Sequence, residues 1–140
     1  RGYGLRGRKI MNKTLVVAAL AYLGLILSGC GSKQENLTDN YIDAMEDMRD
    51  TLQGVTDSAS AKSAVPRIRE IAQRLKQLGN ELDTVEKTLS EQEREDLHKT
   101  FQARAEPISE EIDKETRRIG KFLTSDPEVL KEFIKAGRGR

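Results

Sequence analysis

The feature that most constrains the fold is an unbroken series of apolar residues in the middle of the chain. Between Ala61 and Leu89 these residues recur at alternating spacings of three and four. Such a pattern is typical of a helix that buries one stripe, here sustained over four heptads. The flanking Val65, Ala72 and Gly79 are apolar or small, which favours a helix packed by several neighbours over a two-stranded coiled coil. The series is Ala61, Ala64, Ile68, Ile71, Leu75, Leu78, Leu82, Val85 and Leu89.

Two residues of this segment are poor helix formers. Pro66 lacks a backbone N–H and would clash with the carbonyl of Lys62 inside a helix. The helix therefore starts either near Ser63, with Pro66 in its first turn, or near Asp57, with a bend at the proline. Gly79 costs about 1 kcal/mol relative to alanine. Because the apolar stripe passes through it, we predict an uninterrupted helix there.

Three further helices are predicted from apolar stripes and capping signals. The first ends at Gly54, and the third begins at a capping box, Ser90–Glu93, and bends near Pro107. The short fourth helix begins at a second capping box, Ser125–Glu128. We therefore predict an all-α fold over residues 37–137, a bundle of three long helices and one short C-terminal helix. The residues predicted to be buried are Leu37, Tyr41, Ala44, Met45, Met48, Leu52 and Val55 in the first helix, Leu97, Phe101, Ala105, Ile108, Ile112, Ile119 and Phe122 in the third, and Val129, Leu130, Phe133 and Ile134 in the fourth.

The N-terminal part of the chain has the organisation of an export signal. Residues 1–29 contain five bases and no acid, and an uncharged, mostly apolar segment covers residues 14–27. A basic region, an apolar segment and a small-residue exit are typical of a secretory signal peptide. Residues 1–10 lack an initiating Met and resemble no domain, so we interpret them as an upstream extension. The apolar helix of residues 11–29 is then the signal peptide, and residues 30–36 are a cysteine and a polar tether.

The segment Leu27-Ser28-Gly29-Cys30 resembles the lipobox of bacterial lipoproteins at all four positions. In that family the Cys thiol is diacylated, the chain is cut just before it, and the new N-terminus is often acylated too. The resemblance implies that Cys30 carries a lipid that anchors the body in the cell envelope. By the family's sorting rule, Gly31 implies the outer membrane, facing the periplasm, where the organism has one. Two alternatives are a retained membrane-spanning helix over residues 14–32, which is just long enough, and an unmodified Cys30 after an ordinary secretory signal.

The composition of the body excludes several classes of function. The chain has one Cys, one His and no Trp, so neither a disulfide framework nor a Cys/His metal cluster is available. Beyond residue 29 it has 19 bases and 23 acids, which argues against nucleic acid as a partner. The Glu-x-x-His pattern of di-iron bundles occurs once, ending at His98, where two copies are needed. Glu115 is the one acid on a predicted inner stripe; it either pairs with an arginine of another helix or lies at an exposed edge.

Residues 45–52 and 57–61 are similar to the first helix and turn of the soluble periplasmic b-type cytochromes, which are four-helix bundles. In that family a first-helix Met, here Met45, is one axial haem ligand, and the other is a His near the end of the last helix. The predicted fourth helix has no His, and His98 falls on the third. The resemblance implies haem binding through Met45. The alternative makes Met45 and Met48 ordinary core residues.

These observations predict a non-enzymatic protein without a cofactor. The chain has no Ser/His/Asp order and no glycine-rich phosphate loop. We expect a lipid-anchored cell-envelope protein, held to the membrane through Cys30, whose helical bundle offers its helix faces to a protein partner. The alternative is a bundle that carries haem or another small ligand between its helices.

Overall fold

The computed structural model describes the backbone of residues 13–139 and the side chains of residues 33–139. This part of the chain forms four helices: α1 (Lys13–Gln53), α2 (Ser58–Glu86), α3 (Glu91–Leu123) and α4 (Pro127–Gly137). No strand occurs within it, and the predicted all-α fold of three long helices and one short helix is confirmed. Residues 31–36, expected to form a tether, belong to α1. The side chain of Cys30 and the whole of residues 1–10 lie outside the described residues.

The chain divides into two units, Arg1–Lys33 and Gln34–Arg140, and the second contains the helical body. α2 begins at the earlier of its two predicted starts, because Asp57 caps it. The Asp57 carboxylate accepts from the Ser60 backbone N–H at 2.7 Å, and the Asp57 N–H donates to the Ser60 hydroxyl at 3.0 Å. α2 then continues through Pro66 and, as predicted, through Gly79.

The capping box predicted for α3 is confirmed, whereas the one predicted for α4 is wrong. Ser90 and Glu93 satisfy each other's backbone N–H groups, at 3.4 and 2.8 Å. The cap of α4 is Asp126, whose carboxylate accepts from the Val129 N–H at 3.3 Å, and the Ser125 hydroxyl instead donates to the last turn of α3. Pro127 at the first helical position explains the shift, because the residue just before such a proline is the cap.

All four helices meet at one end of the body, which we call the four-helix end. The C-terminal part of α1, the N-terminal half of α2, the C-terminal end of α3 and the whole of α4 pack there. Every residue of the predicted α2 stripe is buried or half-buried, which confirms the heptad pattern. The buried cluster of this end is Met48, Leu52, Val55, Ala61, Val65, Ile68, Ile71, Ile119, Leu123, Phe133 and Ala136.

At the opposite, three-helix end, α1 enters the body and packs between the C-terminal half of α2 and the N-terminal half of α3. Leu75 of α2 lies between the two ends and packs against the buried residues of both. The buried residues of the three-helix end are Leu37, Ile42, Ala44, Met45, Leu78, Ala105 and Ile108.

Several details differ from the predictions, and one of them is Ile42, which is 5% exposed although it lies off the predicted α1 stripe. Ile134 was expected to be buried but is 47% exposed, because α4 packs on α2 through Phe133 and Ala136 and turns its other face to solvent. Leu123 is fully buried although the α3 stripe was predicted to end at Phe122. Glu115 pairs with Arg118 of its own helix at 2.6 Å, so neither expectation for this carboxylate holds.

Candidate functional site

A cleft of about 260 Å³ opens at the three-helix end, between the C-terminal half of α2 and the N-terminal half of α3. Its floor is apolar, because the half-buried residues of three helices meet there. Gly79 lines the cleft, and a Cβ at this position would lie 3.8 Å from Cε2 of Tyr41, at ordinary van der Waals distance. The lining residues are Tyr41 from α1, Gly79, Leu82, Asp83 and Glu86 from α2, and Leu97, His98 and Phe101 from α3.

Two aromatic rings form one wall of this cleft. Tyr41 and Phe101 lie with their ring centroids 5.2 Å apart at an interplanar angle of 69°, which is an edge-to-face pair. The body has few aromatic residues, and these two stand sixty positions apart. Sequence reasoning placed both on buried stripes but gave no signal that they would meet.

The rim of the cleft is acidic. The Glu86 carboxylate lies 3.0 Å from Nε2 of His98, across the gap between α2 and α3. Asp83 is exposed one helical turn earlier and makes no hydrogen bond or ion pair with the residues described. No Lys or Arg lines the cleft, so His98 is its only basic group. The potential inside the cleft therefore favours positive charge.

The structure does not assemble the metal site suggested by the Glu-x-x-His pattern. His98 bonds to Glu86, whereas the Glu95 carboxylate lies 3.8 Å from the ammonium group of Lys99 on the exposed side of α3. Within residues 33–139, no three His, Cys, Asp or Glu side chains lie close enough together to hold a metal ion.

Met45, the residue implied as a haem ligand, packs in the core of the three-helix end against Ile42, Ala105 and Ile108. It is not among the residues that line the cleft. His98 lies two helical turns before Ala105 on α3 and points to Glu86, so the structure does not bring His98 to Met45. Met48 is likewise buried, in the cluster of the four-helix end.

A second surface feature is the outward face of α4. With 3.6 residues per turn, the exposed Ile134 projects on the same side as Leu130 and Pro127, and three cations flank this apolar strip. Of the two α4 acids, Glu132 lies 3.7 Å from Arg69 of α2, and Glu128 does not line the depression over this face. No Asp or Glu belongs to the patch, and its cations make no ion pair within the described part of the chain. We call Pro127, Leu130, Lys131, Ile134, Lys135 and Arg138 the α4 patch.

Several charges on other faces are used in pairs between helices. Asp47 of α1 lies within 3.4 Å of both Arg67 and Arg74 of α2. Asp39 of α1 pairs with Arg104 of α3 at 2.6 Å. Such pairs hold α1 against its neighbours and leave those charges less available to a partner than the cations of the α4 patch.

Comparison with known proteins gives no match to a family model, to a curated protein or to a solved structure. Among the helices of the described region, none is long and apolar enough to cross a membrane. Function must therefore be argued from the lipobox-like sequence and from the two surface features.

Proposed function

We propose that this chain is a non-enzymatic, lipid-anchored protein of the cell envelope whose α4 patch binds an acidic protein partner. The observation that carries the proposal is the α4 patch, in which the exposed Ile134 and Pro127 and the half-buried Leu130 lie beside three cations with no acid among them. Exposed apolar residues that form a contiguous patch mark interaction surfaces, whereas isolated ones do not.

The sequence supports anchoring at the three-helix end. Only three residues lie between Cys30 and Gln34, where the compact body begins, so the two are four Cα–Cα steps apart. A fully extended segment of this length spans at most about 14 Å. A lipid on Cys30 would therefore keep the body close to the bilayer, and two or three acyl chains would hold it there stably.

The α4 patch and the first residues of the compact body lie at its opposite ends. The patch lies at the four-helix end, whereas α1 enters the body at the three-helix end. From Leu37 to Gln53, α1 rises by roughly 24 Å along the body. The apolar strip would supply contact area, and its cations would select a partner surface that is rich in Asp and Glu.

Anchoring is tested by the N-terminus and mass of the protein purified from cells that produce the full chain. We expect a mature protein that begins at an acylated Cys30 and partitions into the detergent phase. Cys30→Ser should remove the lipid and leave precursor or soluble protein. An unmodified Cys30, or a wild-type N-terminus elsewhere, contradicts the anchor.

Partner binding is tested by photo-crosslinking from position 134 in the same cells. A photoreactive residue placed at position 134 should give a discrete crosslinked adduct. The same residue in place of the exposed Lys76 of α2, which serves as the control site, should give none. Lys131→Glu with Lys135→Glu should abolish the adduct, whereas Lys114→Glu with Lys121→Glu on α3 should preserve it. Equal adducts from both sites, or an adduct that survives reversal of the patch charges, would refute docking at the α4 patch.

The haem-carrier alternative gains no support from the geometry, and we do not propose it. The thioether of Met45 is held in the core by Ile42 and Ala105, and the last helix carries no His.

A further inference from the structure

The cleft at the three-helix end is a different feature from the α4 patch and needs a different occupant. It is lined by three helices, whereas the depression over the α4 patch is lined by α4 and its cap alone. Its volume, about 260 Å³, is just below the usual range of roughly 300–1,000 Å³ for small-molecule sites. The cleft therefore suits a small ligand rather than a cofactor of the size of haem.

The walls select an apolar chain. Leu82 of α2 and Leu97 of α3 form the apolar floor of the cleft, and the Tyr41–Phe101 pair forms a wall. Moving an alkyl chain from water onto such a surface contributes roughly 0.8 kcal/mol per buried methylene.

The rim selects a positive head group. Asp83 and Glu86 are carboxylates, and His98 is the only lining group that can carry positive charge. An ammonium head in the cleft would meet the carboxylate of Asp83 and that of Glu86, which His98 already contacts at 3.0 Å, and the lining also includes two aromatic rings, which attract cations through their faces. A sulfate or phosphate head would meet the same carboxylates and be repelled.

We propose that this cleft binds a small amphiphilic cation, with its alkyl chain on the Leu82–Leu97 floor and its ammonium head between Asp83 and Glu86. The proposal does not depend on the lipid anchor or on the α4 patch, because all its residues belong to the compact body Gln34–Arg140.

The chain supplies its own reporter for the test. In a fragment of residues 31–140, Tyr41 is the only tyrosine and there is no tryptophan. Its fluorescence and near-ultraviolet circular dichroism therefore report directly on the wall of the cleft. The fragment contains the whole of the compact body and its core.

The fragment is titrated with octyltrimethylammonium and, in parallel, with octyl sulfate, both below their micelle concentrations. The two probes share a tail and differ in the charge of the head. We expect a saturable change in the Tyr41 signal with the cation and at least ten-fold weaker binding of the anion. No saturable change with the cation, or equal binding of both probes, would overturn the proposal.

Two variants locate the site. Gly79→Leu should fill the cleft and abolish the saturable signal, whereas Asn80→Leu, exposed at the next position, should bind as the wild type does. Asp83→Asn should weaken binding of the cation by about five-fold, the effect expected of one exposed charge. Asp113→Asn on the solvent face of α3 is its matched control. Far-ultraviolet circular dichroism verifies that each variant is folded.

If Gly79→Leu does not fold, the surface substitution at Asp83 still decides the question. Cation binding that is unchanged by Asp83→Asn, or lost equally in Asp113→Asn, would show that the rim carboxylate does not select the ligand. Binding that survives in a folded Gly79→Leu protein would place the probe outside the cleft.

Discussion

Truncation of Ile71 tests the packing of α2 at the place where the body depends on it most. The Ile71 side chain is 2% exposed and belongs to the cluster to which all four helices contribute. Truncating a buried isoleucine or leucine to alanine lowers the free energy of unfolding by about 2–5 kcal/mol. The cavity left behind accounts for a large part of that loss. Because three other helices contribute to the same cluster, we expect that the hole does not close by a shift of one neighbour. We therefore expect a loss of about 3–4 kcal/mol for Ile71→Ala.

The same stripe supplies a graded comparison. Leu75 is half-buried and touches the buried clusters of both ends, so Leu75→Ala should lower the free energy of unfolding by about 2 kcal/mol, the low end of the range. Lys76 is exposed on the outward side, and Lys76→Ala should change the free energy of unfolding by less than about 0.5 kcal/mol.

The measurement is urea denaturation of the fragment 31–140, followed by circular dichroism at 222 nm. A domain of this size has a total stability of roughly 5–15 kcal/mol, so the loss at Ile71 should move the midpoint clearly while leaving the slope unchanged. Equal losses at Ile71 and Lys76 would show that the packing face is wrongly assigned. A loss below about 1 kcal/mol at Ile71 would mean that α2 does not form the core.

Three further predictions concern local contacts. Arg118→Ala should lower the free energy of unfolding by about 1–2 kcal/mol in the same assay, because Arg118 donates to the last turn of α1 at 3.2 Å and to Glu115, which is 15% exposed. Hydrogen bonds within the capping boxes lower the pKa of Asp57 and of Glu93. The stability that these two carboxylates contribute should therefore be fully present above about pH 5 and be lost as the pH drops through both lowered pKa values, and Asp57→Asn with Glu93→Gln should flatten this acid dependence in thermal melts. Gly79→Ala should raise stability by about 0.5–1 kcal/mol, since its Cβ has room, and a loss would contradict that geometry.

Local features of the chain were predictable because they depend on residues within one or two turns. The capping box of Ser90 and Glu93 spans four positions, and the α2 stripe repeats at the helical period, so both could be recognised without any neighbour. The end of α1 at Gly54 follows from the same kind of signal. The prediction for the α4 cap failed because two caps, Ser125 and Asp126, compete there within one step of the chain.

The sequence by itself determined that the body is helical, most helix caps and the apolar face of α2. These features depend on short-range hydrogen bonds and on the 3.6-residue period, and both can be recognised from neighbouring residues along the chain. The lipid on Cys30 also remains a prediction of sequence alone. Only the tertiary structure decided how the helices lie against one another. Because of the way the helices pack, Tyr41 contacts Phe101, His98 lies beside Glu86 and Ile134 is exposed to solvent. These contacts join residues that are far apart in sequence or depend on which face a neighbouring helix covers. Because no local pattern encodes that choice, the cleft and the α4 patch became visible only in the folded body.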